Sequence, residues 1–122
     1  MNSKVVNDSG VSIVVVNSSE LIIHNVPSAL DFVMSMTYEF DSNRIVINKE
    51  AIAEDFFILS TGVAGEILQK FVNYRFHVAI VGDYSKYTSK PLKDFIYESN
   101  YGNDIFFVST EEEAIQKLRL IK

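Results

Sequence analysis

The 122-residue sequence has no cysteine and no tryptophan, only two prolines and only five glycines. Without cysteine there is no thiolate zinc site, no thiol nucleophile and no disulfide framework, and the composition suits a reducing compartment. Long apolar runs are also missing. Ile13 to Val16 stops at Asn17, far short of the roughly 18 consecutive apolar residues that a membrane helix needs. Met1 to Asn7 carries one lysine and no long apolar stretch follows, so no signal peptide is expected. Basic residues are the minority: eleven Lys and Arg against sixteen Asp and Glu give a formal charge of −5, which argues against a nucleic-acid or anionic-membrane partner. Together these absences predict a soluble cytoplasmic protein.

What is present is 48% hydrophobic and 22% charged, the composition of a globular domain. No proline-rich linker, charge block or repeat divides the chain, so residues 1–122 are read as one domain. Valine and isoleucine crowd Lys4 to Asn7 and Val11 to Asn17, and Asp8-Ser9-Gly10 between them reads as a hairpin turn. Pro27 suits the first turn of a helix, and Ala29, Leu30, Val33, Met34 and Thr37 then recur at helical spacing to about Phe40.

Buried strands are expected at 44–48, 76–81 and 105–108, each a short apolar run bounded by polar residues. Lys49 to Phe57 reads as a short helical turn. Between the strands, Val63, Ile67, Leu68, Phe71 and Val72 line one side of a helix, and Leu92, Phe95 and Ile96 follow Pro91 in another. Thr110 with Glu113 three residues on makes a capping box for a terminal helix. Strands alternating with helices after a hairpin predict an α/β fold, a mixed sheet of four or five strands with about four helices. Ile45, Ile47, Ile67, Leu68, Phe71, Val78, Ile80, Phe95, Phe106 and Leu118 are expected in its core.

Three groups of residues bear on function. In the turn Ser60-Thr61-Gly62, with Gly65, hydroxyls and glycines stand at a helix N-terminus, where free amides favour a phosphate or another anion. Simple capping accounts for the same residues. At the carboxyl ends of the parallel strands, Lys49, Asp83 and Ser85 form a polar rim of the kind that holds ligands in α/β sheets. Tyr84, Tyr87, Tyr97 and Tyr101, interleaved with Lys86, Lys90 and Lys93, offer a protein-binding patch. Asp83, Asp94 and Glu98 offset those lysines and weaken a nucleic-acid reading.

Glu54 and Asp55 are adjacent in a helical turn and point apart, so they are not read as a carboxylate pair. His24 and His77 lack partners at metal-ligand spacing, and no Walker lysine, Gly-x-Gly-x-x-Gly or Gly-x-Ser-x-Gly is present. No catalytic residue, metal or cofactor is therefore expected.

The segment Leu59-Ser60-Thr61-Gly62-Val63-Ala64-Gly65, following the strand at 44–48, resembles the Asp-Ser-Ser-Gly-Leu-Gly turn of the sulphate-transporter and anti-sigma-factor-antagonist (STAS) superfamily. That resemblance implies a STAS-like domain and phosphorylation of Ser60 by a partner kinase, with Leu59 standing where the superfamily has aspartate. A resemblance over nearly the whole chain is to the bacterial family called domain of unknown function 4180. It is carried by 53–57 (Ala-Glu-Asp-Phe-Phe), Thr61-Gly62 with 64–74, 80–83 (Ile-Val-Gly-Asp) and 94–100. The expected function is a non-enzymatic regulatory module that binds a protein partner and is switched at Ser60-Thr61-Gly62. A homodimer is compatible with it. The alternative is a small-molecule, anion or enzymatic site on the strand-end rim.

Overall fold

Branching at Cβ stiffens valine and isoleucine and suits them to a pleated surface, and the first two runs of them pair as a hairpin. Strands β1 (Asn2–Asp8) and β2 (Val11–Asn17) are antiparallel and joined by Ser9 and Gly10. Both turn residues have positive φ, 54° and 82°, the conformation that matches the twist of a two-residue hairpin. The computed structural model describes residues 1–121.

From β2 onward every strand is parallel to its neighbour. β3 (Arg44–Asn48) pairs with β2, β4 (His77–Val81) with β3 and β5 (Ile105–Val108) with β4. The result is one mixed five-stranded sheet in the order β1-β2-β3-β4-β5, in which only β1 runs against the rest. Four helices accompany it: α1 (Val26–Phe40), α2 (Val63–Tyr74), α3 (Lys90–Asn100) and α4 (Glu111–Arg119). No helix among the described residues is long and apolar enough to cross a membrane.

The helix ends follow from short polar side chains. Asn25 caps α1 by accepting from the Ser28 amide at 2.9 Å, while the Ser28 hydroxyl accepts from the Asn25 amide at 3.0 Å, so a serine takes the third position of a capping box. Thr110 accepts from the Glu113 amide as expected, but the Glu113 carboxylate turns aside to the Ser109 hydroxyl at 2.6 Å, so only half of that box forms.

Alternation along each strand sorts the core into two layers. Val14, Val16, Ile45, Ile47, Val78 and Ile80 face α1, α2 and α3, which bring Phe32, Val33, Ile67, Phe71 and Leu92. Ile13, Val15, Val46, Ala79, Phe106 and Val108 face α4 alone, which brings Ala114 and Leu118. Crossovers of one hand between successive neighbouring strands place their helices on one face, and the terminal helix is left to cover the other.

Eight of the residues expected in the core are buried, but Leu68 and Phe95 are only partly so, at the margin of the larger cluster. Helix α2 buries a narrower stripe, Ala64, Ile67 and Phe71, and leaves Val72 43% exposed. In α1, Phe32 and Met36 take the inward positions and Met34 points outward.

Candidate functional site

At the carboxyl end of β3 the chain enters three 3-10 turns, Lys49–Ala51, Glu54–Phe57 and Leu59–Thr61, before α2 begins. These turns carry Lys49 and Glu54 against the loop after β4. Lys49 Nζ lies 3.1 Å from Glu54 Oε1, and the Tyr87 hydroxyl donates to the same carboxylate at 3.0 Å. Lys86 approaches it from outside at 3.5 Å. The Lys49 ammonium also sits 4.9 Å from the centre of the Phe57 ring and 5.0 Å from that of Tyr87.

Lys49 is nearly buried, with 10% of its side chain exposed, whereas Glu54 remains 56% exposed. Burial works against the Lys49 charge, but Tyr87 and Glu54 outweigh it and hold the ammonium's pKa above its ordinary value. Burial likewise pushes Glu54 up, yet Lys49, Tyr87 and Lys86 hold it below the usual carboxylate value. The stem of Lys49 passes against Gly82, the residue after β4, where a Cβ would stand 2.6 Å from the Lys49 Cβ, so a side chain there would push the stem aside.

Asp83 and Ser85 flank this cluster. The Asp83 carboxylate accepts from the Ser85 amide at 2.9 Å, and the hydrogen bonds from Ser85 hold its pKa below the ordinary value. Tyr84 turns inward, donates to the Ile80 carbonyl at 2.7 Å and packs edge-on to Phe107; burial pushes its phenol pKa far up. Asp83 and Ser85 thus follow Gly82, on which the Lys49 stem rests, and bond to each other, while the Lys49 ammonium is neutralised by Glu54.

The Ser60 turn adjoins the rim through the backbone. Gly62, at φ 79°, occupies the N-cap of α2, and no side chain caps the helix from that position. Thr61 stands one residue earlier, its hydroxyl donating toward the Asp55 and Ile58 carbonyls at 2.9 and 2.8 Å and accepting from the Val63 amide at 3.3 Å. Ser60 is exposed. A Cβ at Gly65 would meet nothing within 4 Å, so this glycine makes no close approach.

The tyrosines divide into two groups. Tyr84 and Tyr87 pack against Phe57, with Tyr87 stacked on it at 5.3 Å. Tyr97 and Tyr101 lie near the other end of α3, 64% and 77% exposed, their rings 4.9 Å apart and their hydroxyls 3.2 Å apart. Lys90 pairs with Asp94 at 2.6 Å on the same outward stripe, and Lys93 is exposed beside them.

On a different side of α3, facing α2, is an opening that the sequence pattern concealed. α2 packs on α1 but stands off from α3, leaving a hollow of about 190 Å³. Leu68, Phe95 and Ile105 form its apolar lining, with Glu98, Ser99 and Asp104 around them. Glu54 was also hidden: its only signal is the lysine five residues before it, which in a series of 3-10 turns does not predict contact. Asn100 clamps β5, its side chain accepting from the Phe107 amide at 2.7 Å and donating to the Phe107 carbonyl at 3.1 Å. His77 uses its Nδ1 on the Asn103 carbonyl, and no group of three or more potential metal ligands converges among the described residues.

Comparison with known families places residues 8–118 in the family described as "Domain of unknown function (DUF4180)", and the chain belongs to it. No curated protein and no solved structure matched the chain.

Proposed function

We propose that this member of the DUF4180 family is a non-enzymatic cytoplasmic regulatory module that binds a protein partner in the groove between α2 and α3. One observation carries the reading: Leu68 and Phe95, spaced along their helices as core residues, are left partly open to solvent in a hollow about 190 Å³ in volume. Apolar surface of that kind is what an anchoring side chain of a partner covers. Glu98 and Asp104 at its border have no ion pair among the described contacts, which favours an apolar anchor flanked by Lys or Arg. The strand-end rim supports a ligand site less well, because Lys49 already has a carboxylate partner.

The proposed switch sits at the start of the helix that forms one wall of the groove. Ser60 is the hydroxyl that takes a phosphate at least cost to the fold: it is exposed and makes no described hydrogen bond, whereas modification of Thr61 breaks its bonds to the 55–58 turn. The test is recovery of partners from the native host. Wild type and Asp83→Asn should recover the same protein, and Leu68→Glu and Phe95→Glu should lose it while remaining folded at the assay temperature, at some cost in melting temperature because both side chains also pack on the core. Ser60→Asp should change recovery without destabilising, and Thr61→Asp should destabilise. Equal recovery by both groove variants overturns the reading. Unmodified Ser60 in the host together with unchanged recovery by Ser60→Asp removes the switch.

A further inference from the structure

The two edges of the sheet are treated differently. At β5 the strand has only four residues, and Asn100 occupies the outward amide and carbonyl of Phe107 as a neighbouring strand would. At β1 seven residues run in unbroken register with β2, without proline or bulge, and no strand covers the outer side among the described residues. Closure by a two-residue turn makes Asp8 and Val11 a hydrogen-bonded pair, so the outward-facing backbone groups of β1 belong to Ser3, Val5 and Asn7.

We propose that β1 pairs antiparallel with β1 of a second copy of this chain, continuing the sheet across a two-fold axis. Charge selects the register. Lys4, Val6 and Asp8 share the face that carries α4, where Lys4 meets Glu111 at 3.3 Å and Asp8 meets Arg119 at 3.5 Å. Outward backbone groups must face one another, which leaves few alignments. One sets Lys4 against Lys4 of the second copy, and its neighbour sets Lys4 against Val6. The alignment that centres Val6 on Val6 sets Lys4 opposite Asp8 in both directions. It produces an alternating row, Glu111, Lys4, the second copy's Asp8 and the second copy's Arg119, repeated about the axis. Opposite charges directly across a strand pair stabilise it, and like charges do the reverse. Val6 and Ile115, partly exposed beside a hollow between β1 and α4, gain cover in the same step.

This dimer uses none of the groove between α2 and α3 and stands independently of the partner reading. Sedimentation across a concentration series should give twice the 13.8 kDa of one chain, with dissociation favoured by salt. Val5→Pro removes an outward N–H that β2 does not use, so it should keep the fold and raise the dimer's dissociation constant by about tenfold or more. Lys4→Glu, a change at an exposed position, should weaken the dimer as well by facing Asp8 with a like charge. The chain has no cysteine, so single introduced thiols report the register: oxidised Val6→Cys should cross-link and Val5→Cys should not. A mass of one chain at every concentration overturns the proposal. So does a dimer indifferent to both Val5→Pro and Lys4→Glu, or cross-linking at Val5 in preference to Val6.

Discussion

The rim at the carboxyl ends of the strands and the groove between α2 and α3 lie on the same small domain and are finished in opposite ways. At the rim, Lys49, Glu54 and Tyr87 satisfy one another, and two aromatic rings shelter the ammonium. In the groove, apolar side chains stay partly open and the carboxylates beside them lack partners among the described contacts. A polar group leaving water needs a partner at once, because an unpaired buried charge costs far more than a half-covered leucine. A site completed from within the chain is therefore a poor place to look for a ligand, and one left incomplete is a better one.

The largest effect expected along this contrast is at Phe71, one helical turn from Leu68 on α2 and only 1% exposed. Phe71→Ala should cost about 3–5 kcal/mol in denaturant unfolding, the usual range for a buried aromatic. Gly82→Ala should come next, at about 1–3 kcal/mol, because the new methyl drives the Lys49 stem out of place. Retention of full stability by Gly82→Ala would show that the rim is looser than described.

Leu68→Ala sharpens the comparison from the other side. A side chain that already shares its surface with water has less to lose, and the cost should stay below about 1.5 kcal/mol. A cost equal to that of Phe71→Ala would mean that the groove is closed core. The smallest effect is at Glu54. Its pKa is held below the ordinary value in the folded protein, so the stability it contributes is present above the unfolded value of 4.5 and disappears as pH falls through the folded value. With the carboxylate more than half exposed, solvent screening keeps the loss in Glu54→Gln to about 1 kcal/mol or less near neutral pH. Unfolding curves of wild type and Glu54→Gln should draw together as pH falls from 4.5 through the lower folded value. A constant gap across that range would assign the effect to packing instead of charge.

Much of the fold was legible in the residues because its signals are local. The hairpin turn, Pro27 in the first turn of α1, the Thr110 cap of α4 and the short apolar strands each depend on a few neighbours, and the strands appear within a residue or two of where the pattern puts them. Parallel pairing of β2 with β3 was not legible, since it depends on where the long crossover through α1 delivers the chain. Lys49, Asp83 and Ser85 could be placed at the ends of strands from the pattern alone, but Glu54 was passed over because helical geometry points it away from Asp55 and says nothing of Lys49.

By itself, then, the sequence determined which segments are strands and helices, because period and capping are properties of adjacent residues. Only the tertiary structure decided which apolar residues are covered. Ile67 and Leu68 are neighbours of similar hydrophobicity, yet Ile67 is 1% exposed and Leu68 faces the hollow, because α2 leans on α1 and stands off from α3. The spacing of two helices across a sheet depends on every side chain between them, so no local pattern encodes it. The same holds for the two sheet edges, where Asn100 closes one by folding back from α3 and nothing in the sequence of β1 announces that the other is open.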